Sequence, residues 1–493
     1  MQKIVDSLLI KTCSYINGEW LNLNKVQNCD NNIIVTNPAT GNSIIEIQDA
    51  GIESAELAIK AAKQAFLHWS SQPADYRAKL LNRWFELLIK HQDDLARILT
   101  LEQGKPLAEA KGEIAYGASF IQWFSEEAKR IYGDVIPSPA ADKRTLVIKQ
   151  AVGVVAAITP WNFPSAMIAR KAAAALAAGC TFVVRPDPQT PLSALALAEL
   201  SHRAGIPAGV FNVVIGSQAS ALGKVLTQHP DVAKFSFTGS TPVGKILLQQ
   251  CATTVKKVSM ELGGNAPFIV FNDADIDAAV AGAIASKYRN AGQTCVCTNR
   301  IFVDVKIAKS FTEKYITEVK KIALANGLDD TSTDSAIIGP LISEKAAKRV
   351  NKLIIDSVKM GAKISYTANN PFPKNKHFSP AVVLTQVDND MPIAQEEIFG
   401  PVSAIISFTD EAEVIAKANA TNSGLAAYFY TQNISRIYRV SEALQFGMIG
   451  INETAISNAA APFGGIKQSG YGREGSKYGL DDYLNIKYLC MGI

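Results

Sequence analysis

The segment Arg289-Asn290-Ala291-Gly292-Gln293-Thr294-Cys295-Val296-Cys297 places a thiol after a small, glycine-containing polar turn. A thiol there can reach a ligand instead of filling a core, and the flanking Gly, Gln and Thr argue against burial. A thiolate is both a strong nucleophile and a good leaving group, so it can form and release an acyl intermediate, and local charge sets how much thiolate exists. The bland alternative is a small buried hydrophobe. Glu261-Leu262-Gly263-Gly264-Asn265 lies upstream, after the strand-like run Val255–Met260. A carboxylate beside two glycines at a strand end is placed to face a cleft as a general base. Thr159-Pro160-Trp161-Asn162-Phe163-Pro164 follows the apolar run Val152–Ile158, and Asn162 could aim an amide donor at an oxyanion. Singly, Glu261 reads as well as a solvated carboxylate and Asn162 as a helix cap. Together with the thiol they point to acyl chemistry.

These groups need a frame. Residues from about Ile52 to Tyr132 are helical in pattern, with apolar positions recurring every three or four residues through Ala78–Leu101. Apolar, β-rich runs then follow at Val152–Ile158, Thr181–Arg185, Val210–Ile215 and Lys234–Phe237, separated by helical stretches at Ser165–Ala178, Ser193–Ala204 and Ala219–Gln228. That alternation predicts a parallel sheet covered by helices on both faces. A second series starts at Phe268–Phe271, with a helix at Ile276–Tyr288, a strand at Arg300–Val305 and a helix from Ala308 to about Leu324. Phe237-Thr238-Gly239-Ser240-Thr241-Pro242-Val243-Gly244 follows a strand and opens a helix, so its glycines let backbone N–H groups approach a phosphate. It is not the G-x-G-x-x-G fingerprint, and a mere tight turn is the competing reading.

At 493 residues the chain has room for about three domains. With 19% charged and 48% hydrophobic residues it reads as an ordinary globular protein, and a net charge of +4 is too slight to suggest nucleic acid or a membrane surface. No apolar run approaches the ~18 residues of a membrane span, and Met1–Trp20 does not read as a secretory signal. The seven cysteines are scattered without a framework spacing, which fits a reducing cytoplasm. Cys295-x-Cys297 has no histidine nearby in sequence, so no metal site is expected.

Glu261–Asn265, Gly292–Cys295, Trp161–Pro164 and Glu396-Glu397-Ile398-Phe399-Gly400-Pro401 resemble, in order and spacing, the main signatures of the NAD(P)-dependent aldehyde dehydrogenase superfamily. The resemblance runs from Tyr15-Ile16-Asn17-Gly18-Glu19-Trp20 to the C-terminus. More narrowly, Trp161–Arg170, Arg289–Cys297 and Gly470-Tyr471-Gly472-Arg473-Glu474-Gly475-Ser476-Lys477-Tyr478-Gly479 resemble succinate-semialdehyde dehydrogenases. The resemblance implies an α/β, aldehyde dehydrogenase-like fold. Its parts would be a Rossmann-type parallel-sheet cofactor domain (1–132 and 150–262), an α/β catalytic domain carrying the thiol (263–465) and a β oligomerisation arm (133–149 and 476–493).

It also implies roles. Cys295 attacks an aldehyde to give a thiohemiacetal, whose oxyanion is held by Asn162 and the Cys295 N–H; hydride transfer to the nicotinamide leaves a thioester, which water activated by Glu261 hydrolyses. Cofactor contacts are implied for Thr159, Pro160, Trp161, Thr238, Gly239, Ser240, Val243, Gly244 and Leu262, with Glu397 on the nicotinamide ribose and Phe399 near the nicotinamide. One segment departs from the pattern. Arg185-Pro186-Asp187-Pro188 stands where the family has Lys, Pro, a small residue and a Glu or Ser. Arg185 could bind a 2′-phosphate bidentately, Asp187 would repel one if it faced the site, and Pro188 offers neither carboxylate nor hydroxyl. The balance leans to NADP, with NAD as the alternative.

Arg170, Arg289 and Ser457 match positions that bind the substrate's distal carboxylate in succinate-semialdehyde dehydrogenases; read alone, both arginines are as well structural. With the match, the expected substrate is a short ω-oxo acid, succinate semialdehyde before glutarate semialdehyde, since one methylene is hard to exclude. A broad-range NAD-dependent enzyme is the competing reading. Cys297 could close a disulfide onto Cys295, although sulfurs at i and i+2 of an extended strand are poorly placed for it. Lys143–Lys149 and Tyr483–Cys490 look like exposed strands that need pairing with another chain. They match the family's oligomerisation arms and imply a homodimer or a tetramer built from dimers.

Overall fold

The computed structural model describes residues 4–21, 32–329 and 337–493; Cys29 lies outside them. Four helices, Gly51–Ser71, Ala74–Lys90, Gln92–Gln103 and Leu107–Glu127, occupy the region read as helical. Ala74–Lys90 buries Arg77, Ala78, Leu80, Leu81, Trp84 and Leu88, the one-sided spacing that lets a helix cover a core.

The first sheet follows the order Glu19–Trp20, Tyr15–Ile16, Phe211–Val213, Thr181–Arg185, Val154–Ile158, Val232–Thr238, Lys257–Glu261, Gly470–Tyr471. Its five inner strands are parallel, and the outer pairings are antiparallel. The strand order reverses between Val154–Ile158 and Val232–Thr238, and a crevice opens at the carboxyl ends of the strands on either side of such a switch point. Helix Ala166–Ala178 is buried along all its 13 residues. Its alanines let it lie between the sheet and the preceding helices, and they bring Arg170 and Lys171 into the interior with it.

Between Glu261 and Ala266 the chain passes to a second sheet, ordered Lys363–Thr367, Val382–Thr385, Val402–Phe408, Thr298–Asp304, Ala266–Val270, Ala426–Tyr430, Met448–Ile451. Only its Lys363–Thr367 edge is antiparallel. The inner strands of both sheets are continuous apolar runs, as helix-covered sheets require.

Four expectations need correction. The helix from Ala308 ends at Val319, and Ala323–Leu324 is instead a short strand paired with Ile337–Ile338, because that apolar pair finds a ladder partner. The strand before Glu261 starts at Lys257, since Val255 takes φ +51° and is 91% exposed. Cys295 does not sit in an extended strand: Cys297 N donates to Thr294 O at 3.1 Å, which closes a turn around it. The two exposed strands pair with each other. Lys143–Ala151 runs antiparallel to Leu484–Gly492 from Ala151↔Leu484 to Lys143↔Gly492, with Asp134–Ile136 as a third strand.

Candidate active site

A cleft of about 730 Å³ opens where the carboxyl ends of the first sheet face the amino ends of the inner strands of the second. Strand Val154–Ile158 delivers Pro160, Trp161 and Asn162 to it, and strand Val232–Thr238 delivers Thr238, Gly239 and Ser240. Strand Lys257–Glu261, in register so that Glu261 sits beside Thr238, delivers Glu261 and Leu262. Arg170, Arg289, Cys295, Glu397, Phe399 and Ser457 complete the sequence-predicted residues that line it. Six others do not: Thr159, Arg185, Asp187, Pro188, Val243 and Gly244 lie outside the described cavity.

The nucleophile turn is buried, contrary to the sequence reading. Asn290, Ala291, Gly292, Gln293 and Thr294 are all buried, and Cys295 alone is half-buried at the cleft floor. Polar residues survive there because they bond to one another. Asn290 N donates to Glu109 Oε2 (2.7 Å), Gln103 Nε2 donates to Asn290 Oδ1 (3.0 Å), and Asn290 Nδ2 donates to Asn162 O (3.0 Å). Gln293 Nε2 returns to Asn290 O (3.1 Å), and Gln293 Oε1 accepts from Ile342 N (2.9 Å). Asn290 and Ala291 hold φ +51° and +54°, a left-handed geometry that costs of order 1 kcal/mol each and persists because these bonds fix it. Two glycines admit the turn: a Cβ on Gly264 would stand 2.2 Å from Cys295 O, and one on Gly292, at φ +77°, 2.3 Å from Gly400 O.

The Asn162 amide donates one N–H to Gln293 O at 3.0 Å, which fixes its plane and leaves the second N–H free for an oxyanion. The Cys295 N–H donates to no carbonyl among the described residues. Burial pushes the Cys295 thiol up to about 12, against the opposing pull of Arg170, with Glu397 and Glu261 adding to the rise. At rest the nucleophile is therefore a neutral thiol that must lose its proton to react. Burial, reinforced by the nearby Glu474, raises the Glu261 carboxyl, while Arg170 and Lys171 oppose the shift. Its Oε2 is buried without a hydrogen-bond partner among the described residues. Such an atom is costly unless a ligand or water meets it.

Two groups of residues that carried no assigned role in the sequence hold this arrangement. Lys105 and Glu113 form a fully buried pair at 2.5 Å; Lys105 Nζ donates to Asn162 O (2.8 Å), and Glu113 Oε1 accepts Ser165 N (3.0 Å) and Ala166 N (3.2 Å) at the start of the Arg170 helix. Glu474 accepts from Lys171 and pairs with Arg170, and together they hold its carboxyl low against the burial that raises it. Nothing in local sequence marks these pairs, because Lys105 and Glu113 act through bonds to Asn162, Ser165 and Ala166, and Glu474 reaches Lys171 from 303 residues away.

A nicotinamide dinucleotide fits the residues present. Helix Thr241–Cys251 begins at the cleft with no side-chain cap, so its first N–H groups are available to an anion. Thr238 Oγ1 is buried and unpartnered among the described residues. Trp161 and Phe399 meet edge to face, ring centroids 5.6 Å apart. Glu397 Oε1 accepts Gly264 N at 2.9 Å, and burial raises this carboxyl to about 7. Arg185 instead turns inward: its Nη2 donates to Gly216 O (2.9 Å) and its Nε is unpartnered among the described residues. Asp187 Oδ1 accepts Gln189 N at 2.9 Å. Among the described residues no cluster of histidines, cysteines and carboxylates suits a metal.

Residues 25–489 match the aldehyde dehydrogenase family. The chain belongs to that family. It is 55% identical over 491 residues to succinate-semialdehyde dehydrogenase [NADP(+)] of Escherichia coli (strain K12), covering 100% of both chains. It is 55% identical over 492 residues to 3-sulfolactaldehyde dehydrogenase of Pseudomonas putida, covering 100% of this chain and 99% of the other. Identity reaches 56% over 491 residues with glutarate-semialdehyde dehydrogenase of Pseudomonas putida (strain KT2440), covering 100% of both. The fold class read from the sequence therefore stands: an aldehyde dehydrogenase of α/β class, built on two largely parallel sheets.

Within this aldehyde dehydrogenase, Cys297 is turned away from the cleft. It is 7% exposed, and its Sγ donates to Thr298 O at 3.3 Å and to Lys287 O at 3.6 Å. A bond to Cys295 would require the turn's buried hydrogen bonds to break together. Peroxide treatment is accordingly expected to produce no dithiothreitol-reversible loss of two hydrogens between Cys295 and Cys297, read by mass spectrometry of the peptide that carries both. Recovery of activity in step with the return of those two hydrogens would show the opposite.

Proposed function

We propose that the protein oxidises succinate semialdehyde to succinate with NADP, accepting glutarate semialdehyde as the next best substrate and NAD as the weaker cofactor. The observation that carries the substrate reading is the Arg289 guanidinium, which lines the same cleft as Cys295 and makes no ion pair or hydrogen bond among the described residues. A cation left free in a reaction cleft suits an aldehyde with an anionic tail, and a guanidinium suits a carboxylate. The named substrates of the three relatives share that chemistry, each joining an aldehyde to a distal anion. Arg170 lines the same cleft with its charge taken up by Glu474, and Ser457 adds a hydroxyl. The cofactor choice rests on the NADP(+) named for the relative from Escherichia coli and on the absence of a Glu at position 188.

In this reading Cys295 attacks the carbonyl carbon as its thiol proton passes to water in the cleft. The developing oxyanion lies between the free Asn162 N–H and the Cys295 N–H, fixed donors that need no reorganisation when charge appears. When bound, the oxidised dinucleotide supplies the hydride acceptor that takes the Cys295 adduct to a thioester. Glu261 then takes a proton from the water that attacks the thioester, and its unpartnered Oε2 is the atom that receives it. The helix at Thr241 would hold the pyrophosphate, Thr159, Pro160 and Leu262 would flank the dinucleotide, and Glu397 would accept from ribose hydroxyls. Val243, 44% exposed on that helix, contributes apolar surface beyond the cavity, and Gly244 packs beneath it against Leu262.

We assign residues 1–132 and 150–262 to cofactor binding, 263–465 to the thiol, and 133–149 with 476–493 to assembly. The three-stranded arm keeps Ile486 75%, Tyr488 62% and Val135 81% exposed, an apolar surface on a sheet with open edges that favours a dimer or a tetramer of dimers. Six free cysteines among the described residues suit a reducing compartment such as the cytoplasm.

Initial rates of cofactor reduction test the proposal, with succinate semialdehyde, glutarate semialdehyde and butanal each run against NADP and NAD. The expected result is a kcat/KM preference for the carboxylated aldehydes that falls by on the order of 10²-fold in Arg289→Ala, the usual cost of leaving a charge unpaired at a binding site. Equal rates with butanal would make the arginines structural and the enzyme a generalist.

A further inference from the structure

The distal-anion reading leaves open what keeps Arg289 in place, since a long side chain with no hydrogen bond would otherwise sample many rotamers. Its guanidinium lies over the Phe163 ring, 4.9 Å from the centroid. Phe163 is 6% exposed and packs with Ala166 and Met167. Lys105 Nζ also lies over this ring, 3.8 Å from its centroid, and is fixed by Glu113 and Asn162 O. Lys105 is 1% exposed, so the ring rests on a cation that cannot leave for solvent. A carboxylate partner for Arg289 would consume the guanidinium's donors and cancel its charge, as Glu474 does for Arg170. An aromatic face does neither, because it engages the face of the guanidinium and leaves the in-plane N–H groups free.

We propose that Phe163, pinned by Lys105, is a positioning residue for substrate specificity: it holds the Arg289 guanidinium in the cleft, ordered but unneutralised, to receive the distal anion of the aldehyde. The inference rests on the substrate reading above and deepens it. The segment that supplies Asn162 to the oxyanion thereby also sets the anion-binding group at the other end of the substrate. One rigid strand-end turn fixes the span between them.

The test is a double-mutant cycle on the full-length enzyme with Phe163→Leu, Arg289→Ala and the double variant. Two quantities are read: the ratio of kcat/KM for succinate semialdehyde over butanal, and the calorimetric Kd for succinate, a non-reacting dianion, on cofactor-free protein. Phe163→Leu keeps apolar bulk and removes the ring's negative face. It is expected to lower the ratio and weaken succinate binding by roughly 3- to 30-fold, the range of one cation–π contact. In the Arg289→Ala background the same change should move either quantity by less than about twofold. A ratio unchanged in Phe163→Leu, or one that drops equally without Arg289, overturns the proposal. Phe163→Met serves if the leucine variant folds poorly, judged by thermal unfolding. Failure of the substrate reading would appear earlier, as no preference in the unsubstituted enzyme. Failure of the positioning role alone would leave that preference intact.

Discussion

Cys295→Ala is expected to remove dehydrogenase turnover, by on the order of 10⁴-fold or more, as the loss of a covalent nucleophile does elsewhere. The effect should fall on kcat while succinate still binds, because the charge at the Arg289 end of the cleft is untouched. The reason the loss is so large lies in the surroundings of the thiol. Burial also raises the neighbouring Cys297 thiol, so no second thiolate stands ready to substitute. Cys297 cannot step in: its sulfur is engaged with Lys287 O and Thr298 O behind the turn. Thermal unfolding should change little, since the turn is held by Asn290 and Gln293 and not by the cysteine side chain. Dehydrogenase turnover that survives in the alanine variant would end the covalent mechanism.

Glu261→Gln is expected to lower steady-state kcat by roughly 10²- to 10⁴-fold, the range for loss of a general base, while a single-turnover burst of reduced cofactor persists. Stopped-flow absorbance reads both phases. The pH dependence has a defined sign. Burial and Glu474 raise the carboxyl, so the protonated form, which cannot accept a proton, extends above the usual carboxylate range of about 4–5. Deacylation should therefore be slow at acid pH and climb as pH rises through the elevated value, and the glutamine variant should lose that limb. Glu474→Gln makes a useful partner. Removing the neighbouring negative charge while keeping Arg170 and Lys171 should move the limb to lower pH. Steady-state turnover that stays near the unsubstituted rate in Glu261→Gln, or a pH limb that survives it, would move the deacylation role to another group.

Much of the frame could be read from residue pattern. Thr181–Arg185 and Ile276–Tyr288 were bounded to the residue, and Ser165–Ala178 to within one, because short apolar runs and alanine-rich helices bounded by glycine, proline or aspartate leave little choice of period. The expectation failed where a short apolar pair found a partner far along the chain, as at Ala323–Leu324, and where a positive φ at Val255 delayed a strand. Exposure at the nucleophile turn was misread for a related reason. Asn, Gly, Gln and Thr suggest solvent, yet here they are buried and satisfied by Gln103, Glu109, Asn162 and Ile342. Polar composition reports that hydrogen bonds are needed, not whether water or protein supplies them.

The sequence by itself determined the chemistry on offer: a thiol, a carboxylate, an amide and basic residues, each in a local context that resembles one family's signatures. Those contexts are short segments whose strand-turn-helix geometry is set by neighbouring residues, so they survive being read one at a time. Only the tertiary structure decided which charges are free. Arg170 and Arg289 look alike in sequence, and the fold sets an aromatic ring against each, Phe463 and Phe163, but among the described residues it pairs only Arg170 with a carboxylate, Glu474. It also made Glu261 a raised carboxyl and Cys295 a neutral thiol, by taking both out of water beside particular neighbours. Protonation and charge balance depend on burial and on distances between segments hundreds of residues apart, and those distances exist only once the two sheets have come together around the cleft.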